Sequence, residues 1–280
     1  MAPEVSVCIP AYRGAEMLPA TLRSVLAQDH DDFEVVVVDN ASDDGTDRAV
    51  RPFLADPRVR FLPFSDHVSL ADNWRRAVDA CRGELVKLVC ADDIIHPHAL
   101  TTQALVLRDD PTVSVVASRR HVIDDQGRIL AGASGLHGLL GRHTAADVAH
   151  AILRLGINPI GEPNGVLFRR SDYDAVGGWD GDHVFAMDID LFLRLLTRGD
   201  LVGQPDSLAA FRVWPQSLSS AHSARQYDQN LAFVRRVAQT YGEDADSRRL
   251  GLVAKASWGA WRLRQVWWQL APRPATRRIG

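Results

Sequence analysis

The stretch Glu84-Leu85-Val86-Lys87-Leu88-Val89-Cys90-Ala91-Asp92-Asp93 is an apolar run that stops abruptly at two adjacent carboxylates. Such a run suits a strand buried on both faces, as in parallel sheets. Asp92 and Asp93 then stand at its carboxyl end, where open α/β sheets bind their ligands. Two neighbouring anions at the edge of a hydrophobic layer repel each other and lose hydration. A bound divalent cation removes that conflict, and a cation at a sheet edge suggests phosphate chemistry. The same pair also reads as an acidic helix start, since Asp is a good N-cap.

The rest of the first half repeats the theme. Val5 to Pro10 and Phe33 to Val38 are further continuous apolar runs, and Val59 to Leu62 is a shorter one. Between them, Glu16 to Gln28 places Leu18, Leu22, Val25 and Leu26 on one helical face, Thr46 to Leu54 reads as a short helix, and Ser69 to Cys81 aligns Leu70, Trp74, Ala77 and Val78. This strand–helix alternation predicts a doubly wound α/β layer with right-handed crossovers.

The second half is less regular. Val113 to Ser118 and Arg119 to Asp124 look like two strands, with a turn at Asp125-Gln126-Gly127. Residues 131 to 143, rich in Gly and His, read as a mobile loop. Thr144 caps a helix to about Leu155, Gly165 to Arg169 is a short strand, Asp188 to Arg198 a helix, and Leu208 to Trp214 a strand. From Ala221 to about Leu270 the pattern is helical, with a break near Gly242.

Composition narrows the function. A net charge of -3 over 280 residues argues against non-specific nucleic-acid binding. Cys8, Cys81 and Cys90 show no paired spacing, which disfavours a disulfide framework or zinc knuckle and suits a reducing cytoplasm. The N-terminus runs straight into a strand, so no signal peptide is expected, and no apolar stretch reaches the length of a spanning helix.

Two more strand tips carry polar segments. Pro10-Ala11-Tyr12-Arg13-Gly14 follows the first strand, and Asp39-Asn40-Ala41-Ser42-Asp43-Asp44-Gly45-Thr46 follows the second. A carboxylate at a strand tip can accept the imide N–H of a uracil or thymine, and backbone groups after Pro10 could bond the same base. The second segment also reads simply as a polar turn into a capped helix.

Taken together, Ile9-Pro10-Ala11-Tyr12, Val38-Asp39-Asn40-Ala41-Ser42-Asp43-Asp44-Gly45-Thr46, Asn73-Trp74 and Ala91-Asp92-Asp93 with Pro97 resemble the family-2 glycosyltransferases, inverting enzymes of the GT-A fold. Gly161-Glu162-Pro163-Asn164, Gly177-Gly178-Trp179-Asp180, Asp188-Ile189-Asp190-Leu191 and Phe211-Arg212-Val213 extend the resemblance, which covers about residues 4 to 220.

The resemblance implies an α/β GT-A (nucleotide-diphospho-sugar transferase) fold, a mostly parallel sheet flanked by helices. Residues 1–220 would form the catalytic domain, with a nucleotide-binding half (1–95) and an acceptor-side half (96–220), followed by a helical extension (221–280). It implies transfer of a sugar from a nucleotide-diphosphate donor, UDP or dTDP, to a hydroxyl acceptor: a glycan, a lipid-linked sugar or a small molecule. Asp39 would bind the base, with Pro10, Ala11 and Tyr12 completing the pocket. Asp92 would face ribose and metal, Asp93 would bind Mg²⁺ or Mn²⁺, and Asp188 would be the general base, with Asp190 as its rival. Glu162, Asp190, Arg194, Arg212 and Trp179 fall on segments expected near donor or acceptor. Arg194 lies at helical spacing from Asp190, where a local ion pair is an alternative.

The chain departs from the pattern twice. Cys90 stands where relatives often carry an Asp, and Trp214 where they often carry a histidine; if that histidine binds metal or diphosphate in them, the contact here is absent or is supplied by His222. Two other readings compete. A nucleotidyltransferase needs more glycine than Pro10-Ala11-Tyr12-Arg13-Gly14 offers, and a catalytically silent sugar-nucleotide-binding protein is opposed by the intact Asp39, Asp93 and Asp188. A dehydrogenase is disfavoured because no Gly-x-Gly-x-x-Gly follows the first strand. Lys255 to Leu270 carries Trp258, Trp261, Trp267 and Trp268 among Lys255, Arg262 and Arg264. That composition suits a peripheral contact with the inner face of a membrane, or a helix packed on the catalytic domain or in a homodimer.

Overall fold

The apolar runs pack side by side as the parallel half of one sheet. In the computed structural model, which describes residues 2–214, 223–242, 251–253, 255–257, 259–260 and 263, they are β1 (Val5–Ala11), β2 (Phe33–Asn40), β3 (Val59–Phe64) and β4 (Leu85–Leu88). β1 lies between β2 and β4, with Val5 opposite both Phe33 and Leu85. Every residue of β1 and β2 is buried because helices cover both sides. Val5, Val7, Ile9, Val35 and Val37 pack with Leu18 and Leu22 of α1 (Leu18–Leu26) and Leu100 and Leu107 of α4 (Ala99–Asp109). Cys8, Val36 and Val38 turn the other way, into a core with Trp74 and Ala77 of α3 (Leu70–Asp79). The helix expected from Thr46 to Leu54 is α2 (Thr46–Val50) running into a 3₁₀ turn at Arg51–Ala55, where Pro52 intervenes.

Beyond β4 the sheet changes direction. β9 (Val166–Arg169) is antiparallel to both β4 and β6 (Val113–Ile123), and β10 (Asp200–Arg212) runs parallel to β6. The full order is β3-β2-β1-β4-β9-β6-β10-β5, with β5 at Ile94–Ile95; β7 (Ile129–Ser134) pairs with β6, and β8 (Gly141–His143) with β10. α5 (Ala145–Leu155), α6 (Arg170–Ala175), α7 (Met187–Leu195) and α8 (Ser223–Tyr241) complete the described elements. Thr144 caps α5 in a reciprocal box with Asp147, as the sequence predicts.

Three expectations need correction. The two strands expected between Val113 and Asp124 are one, β6. The polar residues Ser118, Arg119 and Arg120 lie within that strand and do not end it, and Val122 and Ile123 beyond them are buried again. Residues 131 to 143 are not a mobile loop: they contain parts of β7 and β8, and Leu136 and Leu139 between them are buried. Leu136 N–H donates to Ile160 O at 3.2 Å and His137 N–H to Pro159 O at 3.1 Å. The strand at Leu208 to Trp214 begins earlier, at Asp200. α4 escapes a reading by apolar spacing because its buried stripe of Ala99, Leu100, Gln103, Ala104 and Leu107 includes a glutamine.

That glutamine has a partner. Lys87 of β4 is wholly buried, and its Nζ donates to Gln103 Oε1 at 2.7 Å and to Val166 O at 3.3 Å. Burial alone pulls its pKa down to about 7.

α8 docks on the same core through Phe233, Val234 and Val237. Asn230 Nδ2 donates to Gly156 O at 2.7 Å, and Gln229 Oε1 accepts from Phe185 N–H at 3.0 Å. Asp190, buried in α7, joins Arg194 at 2.9 Å and Arg236 of α8 at 2.5 Å. Further on, Ser257 Oγ donates to Leu155 O at 2.5 Å, while Leu252 and Leu263 are exposed. His222 and the four tryptophans of the tail lie outside the described residues. Among the described residues, no helix is long and apolar enough to cross a membrane.

Two stability predictions follow from these buried charges. Between pH 7 and the ordinary lysine value of 10.5 the unfolded chain holds the Lys87 proton and the folded chain does not, so stability rises with pH. Relative to Lys87→Met, wild-type unfolding free energy should gain roughly 1 kcal/mol per pH unit from about pH 7.5 to 9 in urea titrations; parallel curves would overturn this. Asp190→Asn should cost about 1.5–3 kcal/mol in the same assay, and Arg236→Ala less, because Arg194 keeps its hold.

Candidate active site

The parallel strands deliver their carboxyl ends to one edge, and three loops knot together there. Arg13 N–H donates to Ser42 Oγ at 2.8 Å, and the Arg13 guanidinium meets Asp43 at 2.9 and 3.0 Å. Asp39, buried at the tip of β2, accepts from both the hydroxyl and the backbone N–H of Ser42. The Asn40 side chain exchanges hydrogen bonds with the backbone of Val68 at 3.0 and 2.9 Å. Pro10 and Ala11 are buried beneath this knot, while Tyr12 is 45% exposed and meets His67 edge-on at 4.6 Å. Arg13 and Ala41 adopt left-handed backbone angles (φ 52° and 58°), an unfavourable choice for residues with a Cβ. Such strain gathers where loops are shaped for a ligand.

The two carboxylates after β4 are gripped by the end of β10. Asp93 is 1% exposed; its Oδ1 accepts the backbone N–H of Arg212 at 3.0 Å, while its Oδ2 is buried and has no hydrogen-bond partner among the described residues. Asp92 Oδ2 accepts from the indole Nε1–H of Trp214 at 2.7 Å. Burial raises the pKa of both, and for Asp93 the charge of Asp92 adds to the rise. The Arg212 guanidinium is taken up with carbonyls: Asp92 O at 2.7 Å, Asp124 O at 2.8 Å and Asp125 O at 3.1 Å. It therefore acts as a clamp tying the β6–β7 turn to the segment after β4.

Asp188 stands at the start of α7. Its Oδ1 accepts the N–H of Ile189 at 2.8 Å and its Oδ2 the amide of Asn158 at 3.0 Å. Burial of the carboxyl outweighs these bonds and lifts its pKa to about 6. Asp92, Asp93 and Asp188 converge on Cys90: burial raises that thiol's pKa well above its ordinary value, and all three carboxylates push it further.

Arg120, in the middle of β6, is the cation that sequence reasoning missed. It pairs with Glu162, with Nη2 at 2.8 Å from Oε1. Burial lowers its pKa to about 10, against the pull of Asp93 and Asp188, so it remains charged at neutral pH. Gly161 makes room for it: with φ at +127°, a Cβ there would lie 2.9 Å from Arg120 Nη1. Two arginines that directly continue the largely apolar run Val113-Ser114-Val115-Val116-Ala117-Ser118 are the signal that could have found it.

Asp92, Asp93, Asp188 and Glu162 thus share one neighbourhood around Arg120 and Cys90. Asp39 stands at the same sheet edge, on a strand separated from β4 by β1, with partners of its own. Asp190 and Arg194 form the ion pair already described, and Arg194 also donates to Val176 O at 2.7 Å and Gly178 O at 2.8 Å. Trp179 is fully buried, edge-on to Trp74 at 4.8 Å. The partners of these three residues belong to the core and to α8.

Among the described residues, no three His, Cys, Asp or Glu side chains gather as a ready metal cage. The partnerless, buried Asp93 Oδ2, next in sequence to Asp92, nevertheless offers an oxygen that suits a hard divalent cation.

Comparison with known proteins places this edge in context. The family model described as glycosyl transferase family 2 matches residues 6–177. The chain is 32% identical over 215 residues to the uncharacterized protein MT1568 of Mycobacterium tuberculosis (strain CDC 1551 / Oshkosh), covering 75% of this chain and 67% of that one. It is 31% identical over 129 residues to chondroitin synthase of Escherichia coli, covering 46% of this chain but only 19% of that protein. Among solved structures, S. aureus TarS 1-349 in complex with UDP-GlcNAc superposes with a TM-score of 0.67 at 17% identity, covering 91% of this chain and 71% of that one. The mannosyltransferase PcManGT from Pyrobaculum calidifontis, in complex with GDP-Man and Mn²⁺, gives 0.64 at 19% identity, covering 96% and 86%. The mixed sheet is the GT-A fold, and the chain belongs to glycosyl transferase family 2: it is a glycosyltransferase.

Proposed function

We propose that the chain moves a sugar from a nucleotide-diphosphate donor to a hydroxyl acceptor with inversion at the anomeric carbon, with Asp188 as general base. One observation carries this reading: Asp188, which burial lifts to about 6, and the partnerless Asp93 Oδ2 share one buried neighbourhood, both lying near Arg120 and Cys90. A base tuned near working pH takes a hydroxyl proton efficiently. The deprotonated acceptor oxygen then bonds to the anomeric carbon as the bond to the departing diphosphate breaks on the opposite face.

Asp39 reads the base from the tip of β2, which favours a pyrimidine donor, UDP or dTDP, with Pro10, Ala11 and Tyr12 as the walls. Asp93 and Asp92 hold Mg²⁺ or Mn²⁺, which when bound supplies a Lewis acid for the leaving diphosphate. Arg120 adds a fixed positive charge beside that position, and Glu162 orients Arg120. The acceptor, whether glycan, lipid-linked sugar or small molecule, enters on the side of residues 96–220.

A thermal-shift screen of nucleotides and nucleotide sugars, with and without Mn²⁺, tests the reading. A pyrimidine diphosphate should raise Tm only when the metal is present. Asp93→Asn should abolish that rise; Asp188→Asn should keep it and lose at least about a hundredfold in transfer. Retained turnover in Asp188→Asn would move the base role elsewhere. Because the base must be ionised, kcat/KM should be level above pH 6 and fall about tenfold per unit below it.

A further inference from the structure

The turn after α5 reaches the candidate base and the buried cation at once. Asn158, half-buried there, uses its whole hydrogen-bonding capacity. Its Oδ1 accepts the backbone N–H of Ile160 at 2.9 Å and of Gly161 at 3.1 Å. Its Nδ2 donates to Gly161 O at 2.8 Å and to Asp188 Oδ2 at 3.0 Å. A flipped amide does not fit. It would set its N–H donors against two backbone N–H groups, and its oxygen against a carbonyl and a carboxylate. The side chain therefore presents Asp188 with a donor that can neither turn away nor take a proton. Each Asp188 oxygen still keeps a second lone pair for a proton arriving from an acceptor.

The turn itself is braced. Ile160 is buried, and the carbonyls of Pro159 and Ile160 accept from His137 and Leu136 N–H. Glu162 follows directly and pairs with Arg120. Gly135 (φ +92°), like Gly161, leaves space for that guanidinium: a Cβ there would meet Arg120 Nη1 and lie 2.9 Å from Ile160 O. Residues 158–162 thus hold Asp188 at one end and Arg120 at the other. The other groups acting on Asp188 are the Ile189 N–H of its own helix, Arg120 of β6 and the Cys90 thiol after β4. Asp190, two residues on, is held by Arg194 and Arg236.

We propose that Asn158 is a positioning residue for sugar transfer: it locks the Asp188 carboxylate in one orientation and, through the turn it closes, fixes that carboxylate relative to the Arg120–Glu162 pair. The inference rests on the reading of Asp188 as general base. A base held this way stays aimed and ionised. Without the donor, its burial is opposed by one hydrogen bond fewer and its proton affinity rises further.

Two measurements on the full chain test this. The chain has five asparagines, so selective ¹⁵N labelling gives five side-chain amides to follow by NMR. One should shift with a midpoint near pH 6 in wild type and stop shifting in Asp188→Asn. The second measurement is the pH profile of UDP release from UDP-glucose and UDP-GlcNAc with Mn²⁺, water serving as the acceptor. Asn158→Asp keeps an oxygen for the Ile160 and Gly161 N–H groups but loses the donor to Asp188. Its acid limb should move up by at least about one pH unit, so that release falls about fivefold at pH 6 and recovers above about pH 8. Asn158→Ala also opens the turn, and should in addition lower the plateau at least about tenfold.

An even loss at every pH in Asn158→Asp, or no loss, would overturn the proposal. So would five amides that ignore pH between about 5 and 7, or a shift that survives Asp188→Asn. Those results leave the base reading standing. If Asn158→Asp does not fold, or water does not serve as acceptor, the amide titration of wild type and Asp188→Asn decides alone. Turnover retained by Asp188→Asn overturns the base reading and this inference together.

Discussion

Negative charge held at the end of a buried strand is the constraint around which the rest of this molecule is arranged. Asp92 and Asp93 follow β4, where the sheet provides almost no water. Left alone, that pair would favour protonation or local unfolding. The chain compensates from three distant places: the backbone N–H of Arg212, the indole of Trp214 and the guanidinium of Arg120. The compensation is partial, since Asp93 Oδ2 remains without a donor. A fully satisfied pair would be stable and inert. One left with a free buried oxygen is suited to a hard cation.

The same logic separates the carboxylates of α7, two residues apart. Asp190 faces the core side and is held by two arginines. Asp188 has only a helix N–H and an asparagine amide, and burial keeps its proton affinity high. Helical geometry alone turns these two side chains in different directions. One anchors α8 to the domain, and the other stands near Arg120 and Cys90.

Much of this was legible in the sequence because β1, β2 and β4 are buried on both faces and read as uninterrupted apolar runs. Their tips then announced themselves as abrupt polarity, which is how Asp39, Asp92 and Asp93 could be named. Asp188 came from resemblance, since nothing in its spacing separates it from Asp190. Three things were hidden for a physical reason. Arg120 fell in what read as a separate strand, Arg119 to Asp124, and its counter-charges lie far away in the chain. Residues 131 to 143 looked mobile because two buried leucines among glycines leave no period to read. Lys87 gave no sign that it would be enclosed, since its partner Gln103 is on a helix whose apolar stripe contains that glutamine.

The pairing of β10 with β6 also bears on how the site comes into being. Arg212 bonds to residues 92, 93, 124 and 125, so its clamp joins segments some ninety to a hundred and twenty positions apart in the chain. Contacts of such long range form late, after the loops they close have been ordered. During synthesis, the acidic strand end stays open to water until the ribosome has delivered Trp214. Until then residues 1–95 have their parallel strands but not the bonds from Arg212 and Trp214 that hold Asp93 and Asp92.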